Sequence, residues 1–475
     1  MSAPLWTGDK LIAALRAKPE GAVPPVVTGA SIDTRTLEPG DVFFAITGEA
    51  RSGHDFVKGA LDKGAALAVI DEAHAAQFEG AGALAVVPDV LKAMEHAGTA
   101  RRAELKAGVV AVTGSVGKTG TKEALRLVLS RQGNTHAPVA SYNNHWGVPL
   151  TLCRTPSDVA YGVYEIGMNS PGEIVPLARM VRPQVAIVTT IQPVHLAAFA
   201  SLEGIAEEKA GVYWELEKGG TAIVNADIPQ SELLRDIAKS GPAGRIITFG
   251  ESPDADVKLI SCALKPDLST VEARVFGEPV TYRLGSPGKH IVLNSLAVLA
   301  AVHALGADLA LAALALGDLT PPAGRGARQV LQAPGGRITL LDESYNGNPA
   351  SMRAAIENLG RLPVEGRGRR IAVLGDMLEL GPTGPELHRG LAEPLVSNGI
   401  DKVFTCGPLM KGLHESLPSA MRGAYAASAS ELEPLVLDAI RGGDTVTVKG
   451  SLGTRMGPIV KAILARFPAV PAEDR

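Results

Sequence analysis

The chain has 475 residues, enough at about 150 residues per domain for roughly three domains, and its 46% hydrophobic and 20% charged content excludes a disordered chain. A net charge of −4 and only 4% aromatic residues exclude a nucleic-acid binder that relies on bulk charge or stacked rings. The three cysteines, Cys153, Cys262 and Cys406, lack metal-type spacing, so no disulfide framework is expected and a reducing cytoplasm is the expected compartment.

In chain order, Met1 to Glu20 carries Asp9, Lys10, Arg16 and Lys18 and lacks the apolar centre of a signal peptide. Short apolar runs then predict strands at Val42 to Thr47, Ala65 to Ile70, Val109 to Thr113, Gly162 to Ile166, Val185 to Thr190 and Thr221 to Asn225. The series continues at Ile338 to Leu341, Ile371 to Leu374, Val403 to Thr405 and Thr445 to Val448, with helical segments between. Continuous apolar strands alternating with helices predict an α/β protein with mostly parallel sheets. Ile291 to Leu316 is long and alanine-rich, but Asn294, Ser295, His303 and Asp308 interrupt it. Gly306-Ala-Asp308 reads as a stop and restart, predicting two buried helices and no membrane insertion. Junctions at Leu105 to Gly108 and at Thr320 to Arg325 divide the chain into segments 1–107, 108–322 and 323–475.

The most informative motif is Thr113-Gly-Ser-Val-Gly-Lys-Thr119, between a buried strand and a helix expected to start near Lys118. Gly114 and Gly117 let the backbone N–H groups around Ser115 curl about phosphate oxygens, and the helix N-terminus adds partial positive charge. Lys118 can reach the outer phosphates and Thr119 can offer its hydroxyl to Mg²⁺.

Other polar residues admit two readings each. Glu165, at the end of an apolar strand, needs a cation, a metal, a donor or a structural ion pair. His195, in Gln192-Pro-Val-His195, is a metal ligand or a satisfied structural imidazole. Asn143 and Asn144 contact a substrate or make a turn, and Lys209 by itself reads as part of a solvated helix face. Asn294 inside an apolar helix is either a used amide or a buried cap, and Arg325 is a hinge arginine reaching a phosphate or a solvated linker residue. Arg35 is a diphosphate or carboxylate clamp or the partner of a turn. In the third segment, four strands end in polar material, at Asp342 to Pro349, Gly375 to Met377, Cys406-Gly407 and Lys449 to Ser451, which implies a second ligand crevice.

The shortened loop 113–119 resembles that of the Mur ligases, ATP-dependent amide-forming enzymes of peptidoglycan precursor synthesis. Glu165 to Asn169, Gln192 to Leu196, Ser201 to Ala210, Ser141 to Gly147, Gly324-Arg325 and Asp342 to Asn346 are similar to further segments of that family. The resemblance implies a first domain (1–107) binding a uridine nucleotide, a central ATP-binding domain (108–322) and a Rossmann-like acceptor domain (323–475). It implies ATP on Gly114, Ser115, Gly117, Lys118, Thr119, Asn294, Arg325, Asp342, Tyr345 and Asn346. Mg²⁺ would be held by Thr119, Glu165, His195 and a carbamylated Lys209, and catalysis would rest on Lys118, Glu165, His195, Lys209 and Arg325. Substrate contacts would fall to Ser31, Arg35, Gly48, His54, Asn143 and Asn144. Ser31 to Thr36, Pro39 to Gly48, His54 to Phe56, Gly375 to Gly381 and Val448 to Ser451 favour the branch acting on a UDP-N-acetylmuramoyl-tripeptide with D-Ala-D-Ala. The expected partners are these small molecules, with no nucleic acid, and the expected state is a monomer. A branch adding a diamino acid or glutamate stays open. So does a P-loop nucleotide switch, although no Asn-Lys-x-Asp segment is present.

Overall fold

The structure, a computed structural model, describes residues 4–48, 51–194, 198–199, 201–265 and 267–470. Three main sheets follow one another along the chain, each with helices against it. The first has five strands in the order Lys18–Glu20, Leu84–Val87, Leu67–Asp71, Asp41–Phe44 and Gly29–Ser31, parallel except for Lys18–Glu20. The second has nine strands. Six of them, Thr135–His136, Tyr161–Glu165, Gly108–Thr113, Val185–Val188, Thr221–Asn225 and Arg245–Gly250, run parallel, and an antiparallel meander over Val257–Leu264, Ser269–Val275 and Glu278–Leu284 extends the edge. The third has six strands in the order Ala327–Ala333, Gly336–Glu343, Thr445–Lys449, Arg370–Gly375, Lys402–Cys406 and Arg422–Ala426, parallel except for the opening hairpin.

The central sheet is apolar on both faces because successive side chains point opposite ways. Val110 and Val112 join a cluster with Leu296 and Val298 of the helix Lys289–Ala304, while Val109 and Ala111 join one with Leu177 and Ile205 on the other side. This explains why its strands read as unbroken apolar runs.

The alanine-rich stretch divides as expected into helices Lys289–Ala304 and Leu309–Ala315. Gly306 N–H donates to His303 O, and the Asp308 carboxylate caps the second helix at Ala310 and Leu311. Among the described residues no helix is long and apolar enough to cross a membrane.

Some strand bounds differ from expectation. The run from Val42 leaves the sheet after Phe44, and the run from Val185 leaves it after Val188, where Thr189 turns toward the phosphate-type loop. The meander 257–284 was not expected, since its strands alternate polar and apolar residues and cover one face only.

Candidate active site

Gly108–Thr113 lies between Tyr161–Glu165 and Val185–Val188, all parallel, so three carboxyl ends share one edge. After Tyr161–Glu165 the chain crosses to the far side of Gly108–Thr113, which makes this edge a switch point where an α/β sheet opens a crevice.

The loop after Gly108–Thr113 is strapped to the neighbouring strand end. The Thr189 hydroxyl donates to Val116 O at 2.6 Å, and Ser115 N–H donates to Thr190 O at 2.8 Å. Ser115 Oγ donates to Gln192 O and accepts from Gln192 N–H. Gly114 has φ 138°, and a Cβ there would lie 2.0 Å from Thr189 Oγ1, so only glycine fits. Gly117, φ 91°, caps the helix Lys118–Ser130, and the space over its Cα is taken by Asn294, whose Nδ2 lies 2.5 Å from where a Cβ would be. The cradle and Asn294 are thus in one place. Lys118 Nζ donates to Gly114 O at 2.7 Å. Burial pulls its pKa down; Glu165 opposes that shift and Arg325 adds to it.

Below the loop is a group of hard oxygen atoms. Glu165 is 1% exposed; its carboxylate accepts from the Thr119 hydroxyl at 2.9 Å and from Asn143 Nδ2 at 2.7 Å. Among the described residues no cation contacts it within ion-pair distance. A buried carboxylate that the described residues meet only with neutral donors, beside two hydroxyls, suits a divalent cation such as Mg²⁺. The second hydroxyl is that of Ser141, 3.2 Å from Thr119 Oγ1.

Ser141 also accepts from Arg325 Nη2 at 3.4 Å, a bond that brings the third segment to the turn beside the loop. The Arg325 guanidinium lies 4.2 Å over the Tyr345 ring. Asp342 holds that turn, accepting from Gly324 N–H and from Ser344 N–H and hydroxyl. Asn346 O accepts from Lys449 Nζ at 2.9 Å, and the same ammonium pairs with Glu343 at 3.4 Å.

Lys209 is 1% exposed on the helix Leu202–Ala210, not on a solvated face. Among the described residues nothing hydrogen-bonds its Nζ. Burial drives its pKa well below the usual lysine value, and the charge of Lys118 pushes the same way. His195 lies outside the described residues.

Lys118, Thr119, Glu165, Asn143, Asn294, Arg325 and Tyr345 therefore come together, with Asp342 and Asn346 supporting the turn. The remaining expected residues form local structure. Asn144 Oδ1 accepts from Gly147 N–H in a turn. Arg35 forks onto Asp33, with Nη2 at 2.6 Å, while its side chain is largely exposed. Ser31 is buried and bonds Asp33 O, and Gly48 N–H donates to Arg51 O. His54 is buried, with Nδ1 on Ser52 Oγ and Nε2 accepting from Asp71 N–H at 3.2 Å. His54, Asp71 and His74 offer ligand atoms within 4.8 Å of one another. The His54 lone pair is spent on Asp71 N–H, and the Asp71 carboxylate caps His74, so this group is a hydrogen-bonded turn and not a metal centre.

Three contributors were not assigned roles from the sequence: Ser141, Thr189 and the Lys449–Glu343 pair. Ser141 opens the quoted Asn-rich segment and Thr189 follows a strand beside the loop strand. Their positions were visible, but not the cross-strand geometry that gives them work.

The described edge is a cradle for a polyphosphate, with backbone amides, a lysine and an arginine above and a hard-oxygen group beneath. The sequence matches the Mur ligase family, catalytic domain, over residues 26–112, the Mur ligase middle domain over 112–302 and the Mur ligase, glutamate ligase domain over 328–452. The chain belongs to the Mur ligase family of ATP-dependent, amide-bond-forming enzymes, as its loop led us to expect. It is 32% identical to the UDP-N-acetylmuramoyl-tripeptide–D-alanyl-D-alanine ligase of Bacillus subtilis, over 92% of this chain and 93% of that one. MurF from Acinetobacter baumannii superposes with a TM-score of 0.83 at 29% identity, covering 98% of this chain and 99% of that one. The MurF ligase of Thermotoga maritima in complex with ADP superposes with a TM-score of 0.74 at 25% identity, over 92% and 96% of the two chains.

Proposed function

We propose that this protein joins D-alanyl-D-alanine to a UDP-N-acetylmuramoyl tripeptide at the expense of ATP, in peptidoglycan precursor synthesis. The observation that carries the reading is the cradle itself: Lys118 and the Gly114–Gly117 turn stand above Thr119 and buried Glu165, and Arg325 reaches in from the third segment.

In this reading ATP lays its phosphates on the amides of 116–119, with Asn294 beside the nucleotide. The tripeptide's terminal carboxylate oxygen attacks the γ-phosphorus, the bond to the β-phosphate oxygen breaks, and ADP and an acyl phosphate form. Lys118, Arg325 and the helix N-terminus stabilise charge on the transferring group. The dipeptide amine then attacks the acyl carbon, the C–O bond to phosphate breaks, and an amide and inorganic phosphate remain. Thr119, Glu165, His195 and Lys209 would hold Mg²⁺, which supplies charge neutralisation between the phosphates. Lys209 suits carbamylation because burial disfavours its charged form and the uncharged amine is the form that takes up CO₂, which would turn it into an oxygen ligand.

Segment 1–107 takes the uridine nucleotide, with Ser31, Arg35, Gly48 and His54 shaping that site and Asn143 and Asn144 at its border. Segment 108–322 takes ATP and segment 323–475 takes the acceptor. The enzyme is assigned to the cytoplasm, where such nucleotides are made, and acts as a monomer on small molecules.

The test is ADP release with the UDP-linked tripeptide across acceptors. D-Ala-D-Ala is expected to support turnover, and L-glutamate and free diamino acids are not. Turnover with either of those and none with D-Ala-D-Ala would reassign the enzyme within its family.

A further inference from the structure

In the third sheet the strands Gly336–Glu343, Thr445–Lys449 and Arg370–Gly375 lie side by side and end on the edge that carries Tyr345 and Asn346. Beyond the last two, the chain holds two leucines out in solvent. Leu378 is 41% exposed and Leu452 is 63% exposed. They lie on adjoining loops, since a Cβ on Gly453 would be 2.7 Å from Leu378 Cδ1.

These loops are firmly held. Met377 N–H donates to His388 Nε2 at 2.9 Å, Leu378 N–H to Ser451 Oγ at 2.9 Å, and Ser451 N–H to Asp376 O at 3.0 Å. The Ser451 hydroxyl donates in turn to Gly347 O at 2.9 Å, which ties the leucine loops to the turn that meets Arg325. The backbone that presents the leucines is thus fixed to the turn that carries Tyr345. Two adjoining leucines on this fixed backbone give the strand ends an apolar contact for a ligand at that edge.

We propose that Leu378 and Leu452 set acceptor specificity: they receive the methyl side chains of the incoming dipeptide and turn away acceptors with charged side chains. The inference rests on the proposed reaction. A methyl group moved from water onto such a surface gains about threefold to fourfold in affinity. A carboxylate or ammonium in the same place loses its water and finds no partner on a leucine. One pair of residues thereby favours D-Ala-D-Ala and disfavours glutamate or a diamino acid.

The experiment measures ADP release against acceptor concentration for the full-length enzyme, Leu378→Ala, Leu452→Ala, the double variant and Leu452→Lys. Both leucines are solvent-exposed, so thermal midpoints are expected to stay level. The double variant is expected to raise KM for D-Ala-D-Ala about tenfold, with KM for ATP and kcat within about twofold. Leu452→Lys is expected to gain activity with a dipeptide ending in D-glutamate, relative to D-Ala-D-Ala. The inference is overturned if the unaltered enzyme uses D-Ala-D-Ala while the double variant keeps both its KM and its discrimination. If the unaltered enzyme does not use D-Ala-D-Ala, the proposed reaction fails first, and the two results are separable in one data set.

Discussion

The two boundaries of the central sheet are built differently. Toward the first segment, the helix Val90–Glu104 carries two buried arginines. Arg101 stays within the first segment, 3.8 Å over the Trp6 ring and bonding Leu5 O. Arg102 donates to Val181 O and Arg182 O, each at 2.6 Å, and pairs with Glu217 at 2.7 Å. Leu150 and Cys153 of the central segment sit inside the first segment's apolar cluster, Trp6 Nε1 bonds Cys153 O, and Arg154 bonds Ala30 O. Toward the third segment, the described polar links are Arg325 to Ser141 at 3.4 Å and an exposed pair of Arg328 with Asp267. A boundary where a buried arginine bonds across to backbone carbonyls and the apolar core is shared fixes two bodies together. A boundary of long or exposed polar contacts lets them part and close. In the proposed reaction the nucleotide substrate and the phosphate cradle lie on the fixed pair, and the third segment brings Arg325 and the acceptor to them.

The sharpest way to break this contrast is Arg102→Ala. It leaves the carbonyls of Val181 and Arg182 without their donor and is expected to cost about 3 kcal/mol in urea unfolding, with kcat per folded molecule unchanged. A loss under about 0.5 kcal/mol would mean that the first boundary is not held by buried charge. Arg325→Ala is the mirror case. Its kcat for ADP release is expected to fall about 100-fold while stability changes by less than about 1 kcal/mol, because the residue serves transferred charge and little packing. A large drop in stability with normal kcat would reverse the assignment.

His388→Ala is expected to cost about 1–2 kcal/mol, since it leaves Met377 N–H without its acceptor in the buried loop. His388 also predicts a pH dependence. Its Nε2 lone pair is in use, its Nδ1 donates to Gly384 O, and burial holds its pKa below 6.5. The unfolded chain takes up a proton as pH falls through 6.5 and the folded chain does not. The contribution of His388 to stability is therefore present above that pH and lost below it. Urea midpoints should fall from pH 7.5 to 5.5 in the unaltered protein and less steeply in the alanine variant; equal slopes would count against it. The smallest effect is expected for Asp267→Ala, under about 0.5 kcal/mol, because an exposed pair is screened by salt.

Much of this architecture was legible in the chain because burial on both faces leaves a plain signature. Val109 to Val112, Ala222 to Val224 and Ile371 to Leu374 are apolar throughout and fall in the interiors of sheets. The loop 113–119 was legible because glycine, lysine and threonine at fixed spacing do chemistry that few other patterns do. The meander 257–284 was hidden by its half-exposed alternation. Ser141 and Thr189 were hidden because their work depends on which strands become neighbours. Lys209 illustrates the opposite limit: its helix reads as charged and solvated, yet the fold turns that side chain inward beside Lys118.

The most direct measurement is Lys118→Ala, assayed for ATP binding, for ADP release and for acyl phosphate trapped by hydroxylamine in the absence of acceptor. We predict that folding is unchanged, ATP binding is weakened, and ADP release and trapped product fall at least about 100-fold. Unaltered ATP consumption and undiminished trapped product would contradict the account.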